Sequence, residues 1–328
     1  MAKFVFPIGI IICGLSFGYL IQRLVNTGRL TLPISLELFR KALQKGALLF
    51  VFPITITGAI WVVRVQAAAI ATLPLLGFGA IILGGISALA AARLLQLPPY
   101  KSGALYCCGS FTNIAAIGGL VCHVYLGESG FALVQIYKIF EDLTYYSIGF
   151  PIAKYYSVRE AVRQESTYVR LKGLLNDPFI IVAVSSILVG GILNLSGLPR
   201  PGGFKMINTI FIPLATGMLL VSIGLSMQFK RAKDYLKECL VVAGIKFLIV
   251  PLAIGGLAYL IGYGEIENGL PLKVVIVLTS MPVAFSALIP PSIYDLDLDL
   301  ANACWFFTTA CLIWVLPVLL IVIEFISS

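Results

Sequence analysis

The stretch Leu278–Ser292, LTSMPVAFSALIPPS, decides how this chain is read. It lies inside a long apolar run and still carries Pro282, Pro290 and Pro291. Proline removes a backbone donor and clashes with the preceding helical turn. A hydrophobic helix broken at its middle and end exposes polar backbone groups. In lipid these are tolerated only where protein or a watery cavity surrounds them.

The apolar setting extends over the whole chain. Of 328 residues, 59% are hydrophobic and 12% charged. Soluble domains are about a quarter charged, so a soluble core does not account for this composition. The apolar runs do not alternate as the strands of a membrane barrel would. The expected class is an all-α polytopic membrane protein. Ten runs approach the roughly 20 residues a span needs: Phe4–Ile21, Gly46–Val63, Ile70–Leu94, Gly103–Tyr125, Gly130–Tyr155, Pro178–Leu195, Ile207–Met227, Tyr235–Ile261, Leu272–Tyr294 and Leu300–Ile326. The apolar N-terminal run lacks a small-residue cleavage site and reads as the first span, not as a signal peptide.

The net charge of +8 reads as basic cytoplasmic loops, with no nucleic-acid partner. The loops after spans one, three, five and seven hold Arg23, Arg29, Arg40, Lys41, Arg93, Lys101, Arg159, Arg163, Arg170, Lys172, Lys230, Arg231 and Lys233. The other side has Lys3, Arg64, Arg200, Lys205 and Lys273, and its Gly264–Gly269 loop, GEIENG, is acidic. The expected orientation puts the N-terminus outside a cell membrane (plasma or inner). The seven cysteines lie mostly within apolar runs and form no CxxC pair, so neither a disulfide frame nor a metal site is expected. His123 is the only histidine.

With this orientation, spans one to five start outside and spans six to ten start inside. The domain reading is therefore a first five-helix repeat over 1–155, a cytoplasmic loop over 156–177 and an inverted second repeat over 178–328. Phe52–Gly58, FPITITG, and Ile212–Gly217, IPLATG, are traces of that relation. Span four is interrupted at Tyr106–Gly119, YCCGSFTNIAAIGG, as span nine is at its opening stretch. Interrupted helices at matching places in inverted halves point to a midplane binding site. The N–H groups freed at such breaks favour anions.

These residues carry a resemblance. Gly109–Gly118 (GSFTNIAAIG), Ile212–Met227 and Met281–Val318 resemble the auxin efflux carrier (AEC) family of permeases, which takes in plant PIN-type carriers and bacterial organic-acid permeases. The likeness runs over nearly the whole chain. It implies ten helices in two inverted repeats, with spans four and nine as crossing helices. It also implies a scaffold of spans one, two, six and seven, a transport part made of the rest, and a homodimer through the scaffold. Family members move organic anions by an elevator-like motion. Two places depart from the family pattern. Ala115–Gly119 has no proline, and Val283–Ser286 is more apolar.

The expected function is a secondary transporter of a small organic anion, not an enzyme. Ser110, Thr112, Asn113, Pro282 and Ser286 frame the expected site, with break N–H groups on the carboxylate. Charged residues inside spans are costly and are functional candidates. Lys138, Glu141 and Asp142 lie three and four residues apart on span five, so a helix would give them one face. A self-neutralising pair leaves one carboxylate over, and Glu141 or Asp142 would couple an ion. The family favours Asp142. Proton and sodium coupling both stay open, and no other cofactor or metal is expected. Lys246 on span eight would attract the anion or reach for the interface. Tyr137, Tyr145 and Tyr146 read as interfacial anchors, and Asp299 as the cap of span ten. The rivals are a receptor-like or regulatory protein of the same fold, a channel, and a membrane prenyltransferase. The last would need a second aspartate cluster beside Asp295–Leu300.

Overall fold

The computed structural model describes residues 2–63, 67–157, 178–227 and 232–327. Among the described residues every regular element is helical. The only extended pairing among these residues is an isolated antiparallel bridge between Thr112 and Val283. Seven helical runs are long and apolar enough to cross a membrane: Phe4–Asn26, Leu36–Val62, Ala71–Leu94, Ile114–Tyr155, Gly203–Gly224, Leu236–Leu260 and Leu298–Ile326. Ile181–Leu195 is apolar but shorter. Expected spans four and nine do not appear as runs of their own, because each is in pieces, and Ile114–Tyr155 joins the second part of span four to span five. The loop expected over 156–177 lies almost wholly outside the described residues, with Arg159, Arg163, Arg170 and Lys172; Arg64, Lys230 and Arg231 also fall outside them.

Prolines explain several local features. The helices containing Pro53, Pro151 and Pro251 each widen by one residue per turn just upstream, at Ala47–Val51, Tyr145–Gly149 and Ile245–Ile249. In each case the proline stands two residues after the wide turn. The carbonyl four residues before a proline loses its N–H partner and meets the ring. A wider turn moves that carbonyl aside without ending the helix.

The chain divides into two compact units that do not follow the two sequence halves. The first comprises Met1–Arg64, Ala115–Gln135 and Asn176–Gln228. Within it, helix Ala2–Asn26 lies against Gly203–Gly224. A Cβ on Gly18 would strike the Val221 carbonyl and the Gly224 Cα, so the contact needs glycine. Asn194 shares its side-chain N–H groups among the carbonyls of Ile60, Trp61 and Val63, at 3.2, 2.8 and 2.9 Å. These carbonyls lie at the C-terminal end of helix Phe52–Val62, where the last carbonyls lack the N–H of a following turn; that of Ile60 also accepts a backbone bond, from Val63 at 3.3 Å. Arg200 donates to the Gly58 carbonyl at 2.8 Å and pairs with Glu128 at 2.5 Å.

The second unit comprises Val65–Ile114, Ile136–Leu175 and Phe229–Ser328. Here helix Ala67–Leu94 meets Pro99–Ser110 at Gly84 and Gly109, where a side chain on either would strike the other's backbone. The long helix Leu298–Ser327 is capped by Asp297, whose Oδ1 accepts from the Leu300 N–H at 2.9 Å. The Tyr235 hydroxyl holds the same carboxylate at 3.1 Å. The expected cap, Asp299, is instead inside the first turn.

Expected span five is not one helix. Helical residues from Gly119 to Tyr137 are interrupted at Gly127, whose backbone is not helical (φ 74°, ψ −164°); residues 138–140 form a turn, and short helices follow at Glu141–Thr144 and Phe150–Tyr155. The Tyr137 carbonyl lies where a Cβ on Gly77 would be. This turn corrects the expectation that Lys138, Glu141 and Asp142 share a helix face, since the i, i+4 relation requires unbroken helix.

Candidate functional site: paired helix breaks with a buried lysine

Helix Pro99–Ser110 stops at Phe111, whose backbone is extended (φ −86°, ψ 122°). Helix Leu270–Thr279 stops one residue before Met281–Pro282. Pro282 has no N–H for the preceding turn, and it pushes Met281 away from helical geometry. Both stops fall in the second unit and pair with each other. The Asn113 N–H donates to the Pro282 carbonyl at 2.9 Å, and the Ala284 N–H to the Phe111 carbonyl at 3.0 Å.

Other donors at the breaks are also engaged. The Thr112 N–H reaches the Tyr145 hydroxyl at 3.0 Å. The Ile114 N–H folds back on the Thr112 carbonyl at 2.9 Å. The Val283 N–H donates to Thr308 Oγ1 at 3.2 Å. The breaks were expected to offer N–H groups to an anion, but these five are consumed within the chain. The positive charge at the site comes from a side chain.

That side chain is Lys246. It lies in the wide turn Ile245–Ile249, is 1% exposed, and donates from Nζ to Thr112 Oγ1 at 2.7 Å. It therefore points inward and does not reach for the membrane surface. Burying an ammonium is costly unless it is satisfied, so the contact with the break is a built feature.

A second connection runs from Thr112 toward span five. The Tyr145 hydroxyl accepts from the Thr112 N–H and donates to Glu141 Oε1 at 3.0 Å. Its ring stacks on Phe111 at 4.0 Å between centroids, and Phe150 lies beyond Phe111 at 6.0 Å. Gly149 makes the stack fit, since a Cβ there would lie 2.7 Å from the Phe111 ring. Tyr145 is buried and does not anchor the chain at an interface. It and Lys246 both lie in wide turns set by downstream prolines, a local geometry often found at functional sites. A proline six residues after Tyr145 and five after Lys246 was the available sequence signal.

The remaining candidates sort by position. Ser110 and Asn113 are buried at the fourth-span break. Ser110 lies beside Gly85, where a Cβ would crowd its Oγ and the Tyr106 ring. Pro282 is buried, and Ser286 is half-buried in the short turn Phe285–Leu288. Glu141 is half-buried and bound to Tyr145, whereas Asp142 is exposed. Lys138 is half-buried in the turn before them. The structure thus brings Thr112, Asn113, Pro282, Lys246 and Glu141 into one connected arrangement, with Ser110 beside it at the end of helix Pro99–Ser110, and leaves Asp142 outside it.

The family model described as membrane transport protein matches residues 37–320. The chain belongs to this family, the auxin efflux carrier family. The chain is also similar to an uncharacterized transporter of Methanothermobacter thermautotrophicus (strain Delta H), with 32% identity over 130 residues. That alignment takes in 40% of this chain and 41% of the relative, so the chain spans less than half the length of the curated relative it matches. The family assignment agrees with the resemblance carried by the two break motifs and the tenth-span sequence.

Proposed function

We infer that the chain is a secondary transporter that moves a small organic anion across the cell membrane by an elevator-like alternation of access. One observation carries this reading. A fully buried ammonium, Lys246, is held against Thr112 where two interrupted helices pair. A buried lysine at a membrane-buried break suits a carboxylate cargo. Asn113, Thr112 and Ser110 on one break, and Pro282 and Ser286 on the other, frame the cargo. Lys246 supplies the charge that attracts it. Glu141, tied to the break through Tyr145, is the coupling carboxylate in preference to Asp142.

In this reading the ten crossings form two inverted repeats with the N-terminus outside. The unit holding the breaks is the carrier, and the unit with spans one, two, six and seven is the fixed part, through which two copies pair. A second reading, a non-transporting receptor of the same fold, is favoured by the internal use of the break donors and by the buried apolar pair Val283 and Ala284.

Uptake of labelled malonate, malate and indole-acetate into proteoliposomes separates the two. Saturable uptake of at least one, lost in Asn113→Ala and in Lys246→Met, supports the transporter. Removing a charged hydrogen-bond partner costs about 1.5–3 kcal/mol, so affinity should fall roughly 10- to 100-fold in Lys246→Met. Saturable binding without flux would support the receptor.

A further inference from the structure

The least explained group at the site is the Tyr145 hydroxyl. It has one proton and two acceptors within reach, Glu141 Oε1 at 3.0 Å and the Thr112 carbonyl at 3.5 Å. It also accepts from the Thr112 N–H. Thr112 is the residue on which the break, the bridge to Val283 and the lysine converge. Tyr145 therefore links the carboxylate to the break through a single hydroxyl that turns about its C–O bond.

We propose that Tyr145 is the positioning residue that transmits the protonation state of Glu141 to the fourth-span break. With Glu141 ionised, the tyrosine proton points to the carboxylate, the nearer of its two acceptors. When Glu141 takes a proton from water, its new O–H donates to Tyr145 Oη. Two protons cannot lie between the same two oxygens, so the tyrosine proton turns to the Thr112 carbonyl. One proton enters, and the tyrosine keeps its own. That carbonyl already accepts from Ile114, so the change reaches the first turn of the next half-helix. The stack of the Tyr145 ring on Phe111 holds the hydroxyl in place during the exchange.

Other groups around Glu141 set the background. They are Lys138 and Asp142 in its own segment, Tyr137 before it and Lys246 from the eighth span. Helix Ala67–Leu94, packed on the same segment, has no titratable side chain before Arg93. None of these other groups contacts both Glu141 and Thr112 in a recorded hydrogen bond, as Tyr145 does.

The inference rests on the reading of Glu141 as the coupling carboxylate, and its test does not require the cargo. Infrared difference spectra of the full chain in lipid nanodiscs, with ring-labelled tyrosine, would be followed across pH. The Glu141 carboxyl band is assigned by its loss in Glu141→Gln, and the Tyr145 C–O band by its loss in Tyr145→Phe, which keeps the ring stack. The expected result is that the Tyr145 band shifts over the same pH interval as the Glu141 band, and that Glu141→Gln abolishes the shift. In proteoliposomes, Tyr145→Phe should lose the pH dependence of malonate uptake.

A Tyr145 band that stays constant while Glu141 titrates would overturn the proposal. So would a Glu141 that does not titrate, or a Tyr145→Phe protein with the wild-type pH profile. The two readings fail differently. pH-dependent uptake unaltered by Tyr145→Phe removes this proposal and keeps the transporter. Coupled bands without uptake of any anion keep this proposal and remove the cargo.

Discussion

The Lys246 side chain sets function against stability. An ammonium that is 1% exposed and held by one hydroxyl gains less from the protein than it loses from water. Methionine has nearly the same length and no charge to desolvate. Lys246→Met should therefore raise the thermal midpoint in detergent, by about 1–2 kcal/mol of stability, while it weakens anion uptake. A fall in both would mean that the lysine serves packing alone. Arg200 is the opposite case. Its pairing with Glu128 and its bond to the Gly58 carbonyl tie three segments of the first unit. Glu128→Gln leaves a partly buried guanidinium without its counter-charge and should lower stability by about 1–3 kcal/mol, read as a lower melting temperature. Lys246 was legible in the sequence because a charge deep in an apolar run has few explanations. Arg200 read as a loop charge, since nothing in its neighbourhood names Glu128, 72 residues earlier.

At the scale of elements, the prolines carry the argument. Pro282 announces the ninth-span break in the sequence, and the structure places the break there. The fourth-span break has no proline. It was legible only from the polar run Gly109–Asn113, because its cause is tertiary: Gly109 lets helix Ala67–Leu94 approach, and Tyr145 takes the Thr112 N–H. The break of span five at residues 138–140 was not legible. Its sequence reads as continuous helix, and the close approach of Gly77 to the Tyr137 carbonyl is a packing fact. Pro251 invites a direct test. Pro251→Ala restores an N–H and removes the ring, so the wide turn Ile245–Ile249 can tighten. Tightening rotates Lys246 away from Thr112. Uptake should fall by about 10- to 100-fold, as misplacing a positioned group does, while the melting temperature holds or rises. Gly84→Val tests the neighbouring contact. Its side chain would strike the Gly109 backbone, and overpacking of this kind costs about 1–3 kcal/mol. Gly256→Ala, with open space around the new methyl, should be neutral or slightly stabilising.

For the whole molecule, orientation links sequence to mechanism. The compact units interleave the two halves of the chain: each takes spans from both. An inverted duplication whose equivalent spans assemble together would interleave in this way, and it would have the two halves enter the bilayer from opposite sides. The basic residues give the sign. Arg23 lies in the last turn of the first span and Arg29, Arg40 and Lys41 follow it, whereas Glu265 and Glu267 lie between the eighth and ninth. Lysine and arginine stay on the cytoplasmic side, so these two loops should face opposite compartments. Single cysteines at Arg29 and Asn268, in a background without the native seven, can be labelled on intact cells with a membrane-impermeant maleimide. Asn268→Cys should label from outside, and Arg29→Cys only after the cells are opened. Labelling of both from outside would break the odd number of crossings between them. Without that, the two halves would not be inverted, and the paired breaks would owe their likeness to packing instead of duplication.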